Sequence, residues 1–473
     1  MLMRFRRKKW LVFITSFFLF CFAAFPLSAF AEGENAAVDT GDTTWLLVSS
    51  ALVMFMFMPG LALFYGGLVG QRNILSTVMY SLSSFVVVTL VWMLWGYSFA
   101  FGPGVGGIFG GFDFLGFQHV GPEAKDGLTI PHLIFAIYQG LFAAITTAII
   151  SGGVVERIRF SVWIVFSILW VTIVYAPMAF WTWGGGWLSK LGGLDFAGGT
   201  VVHILSGVSA LTAALVVGKR RSFPHKTLPP HNLVFFLIGA MFLWFGWFGF
   251  NAGSALASGG LASVAFATTQ IAGSAGGLVW IFIEWALRKK PTLVGGATGG
   301  IAGLVAITPA AGYVSVLSSV AIGGLASVVC YWALNVLKAK LQYDDTLDVF
   351  GVHGIGGIWG AIATGIFASK EVNPAGANGL LYGNPGQVAT QAIDVLVAVL
   401  LAAIGTFVIL KVISLFAPLR VTEEQEMSGL DISLHGENAY NTFEGMNSEM
   451  APAPQSPFAA TGAMAVHAGM KGV

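Results

Sequence analysis

The chain has 473 residues, 56% of them hydrophobic and 10% charged, with a formal net charge of +1 at pH 7. That balance excludes a soluble globular protein and describes a polytopic membrane protein, and it gives nucleic acid no basic surface to bind. The positions of Lys and Arg along such a chain say more than their sum.

At the start, Arg4, Arg6, Arg7, Lys8 and Lys9 precede the apolar run LVFITSFFLFCFAAF and then Ala29-Phe30-Ala31, a small-x-small pattern. Residues 1–31 therefore read as a signal peptide. An uncleaved first helix is the competing reading, and the charged linker from Glu32 to Asp42 that follows at once speaks against it. Cleavage removes Cys21, which Phe20 already disqualifies as a lipidation site, and leaves Cys330 as the remaining cysteine. An internal disulfide and a cysteine metal cluster are thereby excluded.

Eleven apolar runs follow, each near the ~20 residues that span a bilayer. They lie at 44–67, 75–100, 130–152, 160–183, 196–218, 232–251, 261–287, 293–311, 313–337, 349–369 and 388–414. The sequence thus predicts an all-α polytopic membrane protein of eleven transmembrane helices. Alternate loops carry Arg72; Arg157 and Arg159; Lys219, Arg220, Arg221 and Lys226; Arg288, Lys289 and Lys290; and Lys338 and Lys340, against Lys125, Lys190 and Lys370 between them. This asymmetry puts the N-terminus outside and the C-terminus in the cytoplasm. Helices 1 to 5 then begin outside and helices 6 to 10 inside, as two inverted five-helix units followed by a final helix.

Each unit ends in a helix with a lone histidine at bilayer depth, His203 in FAGGTVVHILSGVSAL and His353 in DVFGVHGIGGIWGAIATG. An ionisable side chain there costs ~2.5 kcal/mol or more when charged, so it faces the bundle interior and marks a path for substrate or protons. Taken singly, either is also consistent with a satisfied interior histidine. No third ligand on suitable spacing accompanies them, which argues against a metal site, and no cofactor is expected. Asp195 and Asp348 open these two helices, where a carboxylate caps free N–H groups. Asp195 precedes His203 by eight residues, ~12 Å of helix, too far for a direct bond.

The segments PGLALFYGG (59–67), ERIRF (156–160), WGGGW (183–187), DFAGGTVVH (195–203), GWFGFNAGS (246–254), AITPAAGY (306–313) and DVFGVHG (348–354) resemble the ammonium transporters of the Amt/Mep/Rh group, bacterial Amt branch. The resemblance runs from about residue 43 to 442 as ordered motifs. It implies a homotrimer in the cell (inner, cytoplasmic) membrane, embedded in lipid, each subunit with its own narrow pore for ammonium and methylammonium, and no enzyme activity.

By that resemblance, Phe142, Trp183 and Ser254 match an outer recruitment site supported electrostatically by Asp195. A cation is held there through aromatic faces, at about 0.5 to 2 kcal/mol. Alone, Trp183 equally fits an interfacial belt, Ser254 a helix-end turn and Phe142 ordinary core. Phe142 and Phe250 match a ring plug that blocks continuous water. His203 and His353 match the paired pore histidines, Thr308 a position bordering the pore, and Trp247 and Gln139 lie near enough to line it or to be packing. The function implied is ammonium uptake: dehydration past the phenyl gate, then conduction as ammonia, with or without a separately relayed proton. An ammonium sensor signalling through its tail is the alternative, and a neutral-gas channel is disfavoured because it has no use for a cation site.

Residues 32–420 form the membrane domain on this reading. The polar stretch 421–448 resembles the family's cytoplasmic tail, which implies a PII-type signalling protein as partner. Composition makes 449–473 a disordered end.

Overall fold

The computed structural model describes residues 37–224 and 229–440. The segment read as a signal peptide, residues 32–36, Lys226, positions 441–448 of the tail and the end 449–473 lie outside the described residues.

The described chain is all-α, with isolated bridges and no strand. Its principal apolar helices are α1 (Thr40–Leu68), α2 (Ile74–Phe101), α3 (His132–Ser151), α4 (Phe160–Leu191, broken at 183–186), α5 (Gly199–Val217), α6 (Leu233–Ala255), α7 (Gly260–Arg288), α8 (Leu293–Ile307), α9 (Val316–Leu341), α10 (Phe350–Phe367) and α11 (Gly386–Phe416). All eleven fall on the apolar runs read from the sequence. Ten are long and apolar enough to cross a membrane. The eighth has 15 residues, ~22 Å at the helical rise, and the chain continues it as turns over 308–313.

A helix in lipid must satisfy its own backbone, so its ends need partners that lipid cannot supply. Side chains provide them. Asp39 accepts from Asp42 N at α1, Asn232 from Val234 N and Phe235 N at α6, Thr292 from Gly295 N at α8, and Ser315 from Ser318 N at α9.

The neighbour relations of the first five helices recur in the next five. In the first unit α1 packs on α2 and α3, α2 on α3 and α4, and α3 on α5; in the second α6 packs on α7 and α8, α7 on α8 and α9, and α8 on α10. The units meet where α1 lies on α6 and where α5 meets α10, while α11 covers α4, α5 and α10.

Close approach at that junction depends on missing side chains. A Cβ on Gly207 would stand 2.1 Å from Gly354 N, so the backbones of α5 and α10 are in contact there. A Cβ on Gly303 or Gly323 would likewise press on Ala272 O, at 2.3 and 2.1 Å, which is how α7, α8 and α9 close up. Small residues at helix crossings are the way packing is gained where lipid supplies no hydrophobic drive between helices. Large side chains such as Ile404, Phe407 and Leu415 remain exposed on the outer faces, as lipid requires.

The tail does not hang free. Asp431 accepts from Leu75 N and Ser76 N at the start of α2, Leu430 N donates to Asn73 Oδ1, and Tyr440 OH meets His231 Nε2 at 3.3 Å. A short helix, α12 (Glu423–Ser428), opens on a capping box of Thr422 and Gln425. Its Glu426 binds Arg420 and the amide of Arg221, and Glu423 pairs with Arg221. Residues 419–440 thus lie against the loops between α1 and α2, α3 and α4, and α5 and α6.

Because backbone faces backbone at Gly207, the neighbour cannot yield. Gly207→Val is expected to cost at least the ~3 kcal/mol upper end of ordinary overpacking, seen as a lowered thermal midpoint and a lost monodisperse peak on size-exclusion chromatography. Unchanged profiles would mean that the crossing is looser than described.

Candidate functional site

One line of side chains runs through the junction of the two units. Trp183, at the break in α4, is held by its indole N–H donating to Asp195 O at 2.8 Å. Its ring meets Phe142 of α3 edge-on, centroids 6.3 Å apart. Phe142 stacks on Phe250 of α6 at 4.1 Å and 19°. Phe250 in turn lies 6.1 Å from the His203 ring, and His203 5.2 Å from His353. Phe142 and Phe250 are buried, at 1% and 0% exposure, so the stacked rings are packed inside the protein.

Ser254 lies on the same side of the ring pair as Tyr138. Its hydroxyl donates to Phe250 O and lies 3.3 Å from Tyr138 OH, which donates to Gly249 O. Tyr138 packs on Phe142 at 5.0 Å. Sequence reading did not select Tyr138. The signal was present, since it precedes Phe142 by four residues and so shares its helix face.

His203 Nδ1 and His353 Nδ1 are 3.1 Å apart. Such a contact needs a proton on one ring nitrogen only, so with both rings neutral one histidine carries its proton at Nδ1 and the other at Nε2. The pair then presents one accepting and one donating Nε2. That of His203 is buried with no hydrogen-bond partner among the described residues. Trp247 stacks on His203 at 5.5 Å and is fixed by its indole N–H bonding Thr308 Oγ1 at 2.9 Å, while Thr308 donates to Leu304 O. Gln139 is half-buried, three residues before Phe142 on α3.

Asp195 is a helix cap of unusual completeness. Its two oxygens accept from the amides of Gly198, Gly199, Thr200 and Val201 at 2.7 to 3.1 Å. Burial raises its carboxyl above the usual range, and the four N–H groups pull against that rise.

At the second unit the expectation for Asp348 needs correction. Asp348 does not cap α10; it pairs with Lys338 at 2.5 Å from a backbone φ of +61°. The cap is Asp345, fully buried, whose Oδ2 accepts from Phe350 N at 2.7 Å. The spacing could have shown this, because Asp345 precedes His353 by the same eight residues that separate Asp195 from His203. Asp348 stands at φ +61° directly before the helix, and its carboxylate is turned to Lys338 instead of to the helix amides.

His353 also lines a cavity of about 680 Å³, together with Phe64, Trp280, Glu284, Lys338 and Asp348 among others. Among the described residues no cluster of His, Cys, Asp and Glu is arranged to hold a metal ion. Cys330 is buried and free.

Burial pushes the Asp345 carboxyl up to about 6, with Lys338 drawing it down and Asp348 pushing it further up. A carboxyl raised in the folded state binds its proton more tightly folded than unfolded. Its contribution to stability is therefore complete below the unfolded value near 3.8 and lost as pH rises through about 6. Thermal stability measured from pH 4 to 7 is expected to fall by up to ~3 kcal/mol from this group, and Asp345→Asn to flatten that part of the curve. An unchanged slope in Asp345→Asn would remove the assignment.

The model of the Ammonium Transporter Family matches residues 44–440. The chain is 51% identical over 404 residues to the ammonium transporter of Bacillus subtilis, covering 85% of this chain and 99% of that one. It is 44% identical over 403 residues to ammonium transporter Amt1 of Archaeoglobus fulgidus, 85% and 100% covered. Among solved structures it resembles Mep2 of Saccharomyces cerevisiae, with a TM-score of 0.78, 36% identity, and 85% and 94% coverage. A protein described as a sensor Amt protein matches with a TM-score of 0.76 at 29% identity, 84% and 98% covered.

Proposed function

The chain belongs to the ammonium transporter family, and on that premise we propose that it takes up ammonium through a pore inside each subunit. The observation that carries this reading is the ordered series from Trp183 through Phe142 and Phe250 to His203 and His353, ending at the open cavity.

The ion is recruited at Trp183, Phe142 and Ser254, where ring faces supply cation-π attraction worth ~0.5–2 kcal/mol. Asp195 supports the site from behind by holding Trp183 through its carbonyl. The ion sheds water at the stacked rings of Phe142 and Phe250, which leave no room for a hydrated sodium or potassium ion. Beyond them the walls are apolar, and a bare cation there is penalised heavily. The substrate therefore gives up a proton and crosses as ammonia past His203 and His353, which offer one acceptor and one donor. Trp247 and Thr308 hold the His203 ring in place. The released proton either returns outside or passes along the two imidazoles.

The orientation follows the Lys and Arg distribution, N-terminus outside and C-terminus cytoplasmic, in the cytoplasmic membrane. The assembly is a homotrimer in lipid, made after removal of residues 1–31, and no cofactor takes part. Its tail is the docking point for a PII-type signalling protein.

Uptake of labelled methylammonium in a strain lacking its own transporter tests the core claim. Trp183→Leu is expected to raise KM several-fold with the maximal rate largely kept, and His353→Ala to abolish uptake. Current across proteoliposomes tests the relay: a current in the intact protein that His203→Ala removes supports it, and electrical silence in the intact protein overturns it. The likeness to the sensor Amt protein favours one second reading, a sensor, which uptake by the intact protein would rule against and its complete absence support.

Purified PII protein is expected to retain the full chain in a pull-down in a manner that depends on ATP and 2-oxoglutarate. Equal retention of a chain truncated after residue 420 would place the contact elsewhere.

A further inference from the structure

The inner cavity contains a group that the conduction path does not use. Lys338, at the end of α9, turns its side chain inward, where it is 19% exposed. Its Nζ donates to Asp345 O at 2.7 Å and to Asp348 Oδ1 at 2.5 Å. Lys338, Asp348 and His353 line the same cavity, and the Asp348 side chain is 41% exposed. Asp348 serves no cap and has Lys338 as its charged partner.

A lysine head is a primary ammonium: a tetrahedral nitrogen with one positive charge and N–H donors. The substrate has the same chemistry. A carbonyl oxygen and a carboxylate placed to receive an alkylammonium offer the same acceptors to a free ammonium or methylammonium ion. We propose that Asp345 O and the Asp348 carboxylate form an inner ammonium site, and that Lys338 is its resident competitor.

This rests on the conduction reading, since the ligand is what arrives past His353. A tethered head acts at an effective concentration in the mM range, so free ammonium displaces it only at comparable levels. The four-carbon stem lets the head swing aside when it is displaced. At low internal ammonium the lysine fills the site and product is not held at the exit. At high internal ammonium the ion replaces the lysine and lingers in the cavity that His353 also lines, which slows further release.

The test compares thermal unfolding of the purified full chain in ammonium chloride and in sodium chloride at equal ionic strength. Lys338→Met empties the site while keeping the apolar stem. It is expected to gain ammonium-specific stabilisation on the order of 1–2 °C over that of the unsubstituted protein. The gain is expected to vanish in Lys338→Met combined with Asp348→Asn. If Lys338→Met does not fold, Lys338→Leu, which also leaves the Asp345 carbonyl and the Asp348 carboxylate without the lysine head, serves in its place. No gain on removing the lysine, or a gain that survives Asp348→Asn, overturns the proposal. Methylammonium uptake by the unsubstituted protein reports on the pore itself, so failure of the pore reading and failure of this site are distinguishable.

Discussion

Everything in this molecule depends on the contact of two backbones where Gly207 of α5 meets Gly354 of α10. A path through apolar protein needs polar groups at its centre but must not hold them so far apart that water fills the gap. Bringing the helices into contact lets His203 and His353 share one hydrogen bond at 3.1 Å. Each ring thereby satisfies one nitrogen inside the protein and keeps the other for whatever passes. Any side chain at the crossing would separate the rings and leave two buried polar groups without partners, each costing ~1–3 kcal/mol.

The crossing works only if both helices begin inside the protein, and that requires carboxylates. Asp195 satisfies four amides at the start of α5, and Asp345 performs the same service more sparingly at α10, with one oxygen that has no hydrogen-bond partner among the described residues. The difference is a matter of surroundings. Asp195 sits in a closed loop whose carbonyl also holds Trp183, whereas the neighbourhood of Asp345 is shared with Lys338 and opens toward the cavity.

Much of this was legible in the sequence. All eleven helices, both histidines and the ring pair were found from hydropathy runs, lone polar residues and motif resemblance, because those signals are local. What was missed depends on geometry that one-dimensional spacing shows only once the two units are compared. Asp348 attracted the assignment of a cap because it stands beside the helix, but the chain at φ +61° still turns there, and Asp345 does the work. Tyr138 looked like one aromatic among many until its hydroxyl was seen bonding Gly249 O beside Ser254. The polar stretch from residue 421 reads by resemblance as a cytoplasmic tail, with no packing partner within its own subunit named. Its clamp on Asn73, Leu75 and Ser76 is a contact over more than three hundred residues of chain, which no local pattern reports.

The full series of rings from Trp183 to His353 comes from helices of a single polypeptide. On the uptake reading, one polypeptide holds every ring from the outer mouth to the inner cavity, so a substitution along this lining alters the copy that carries it.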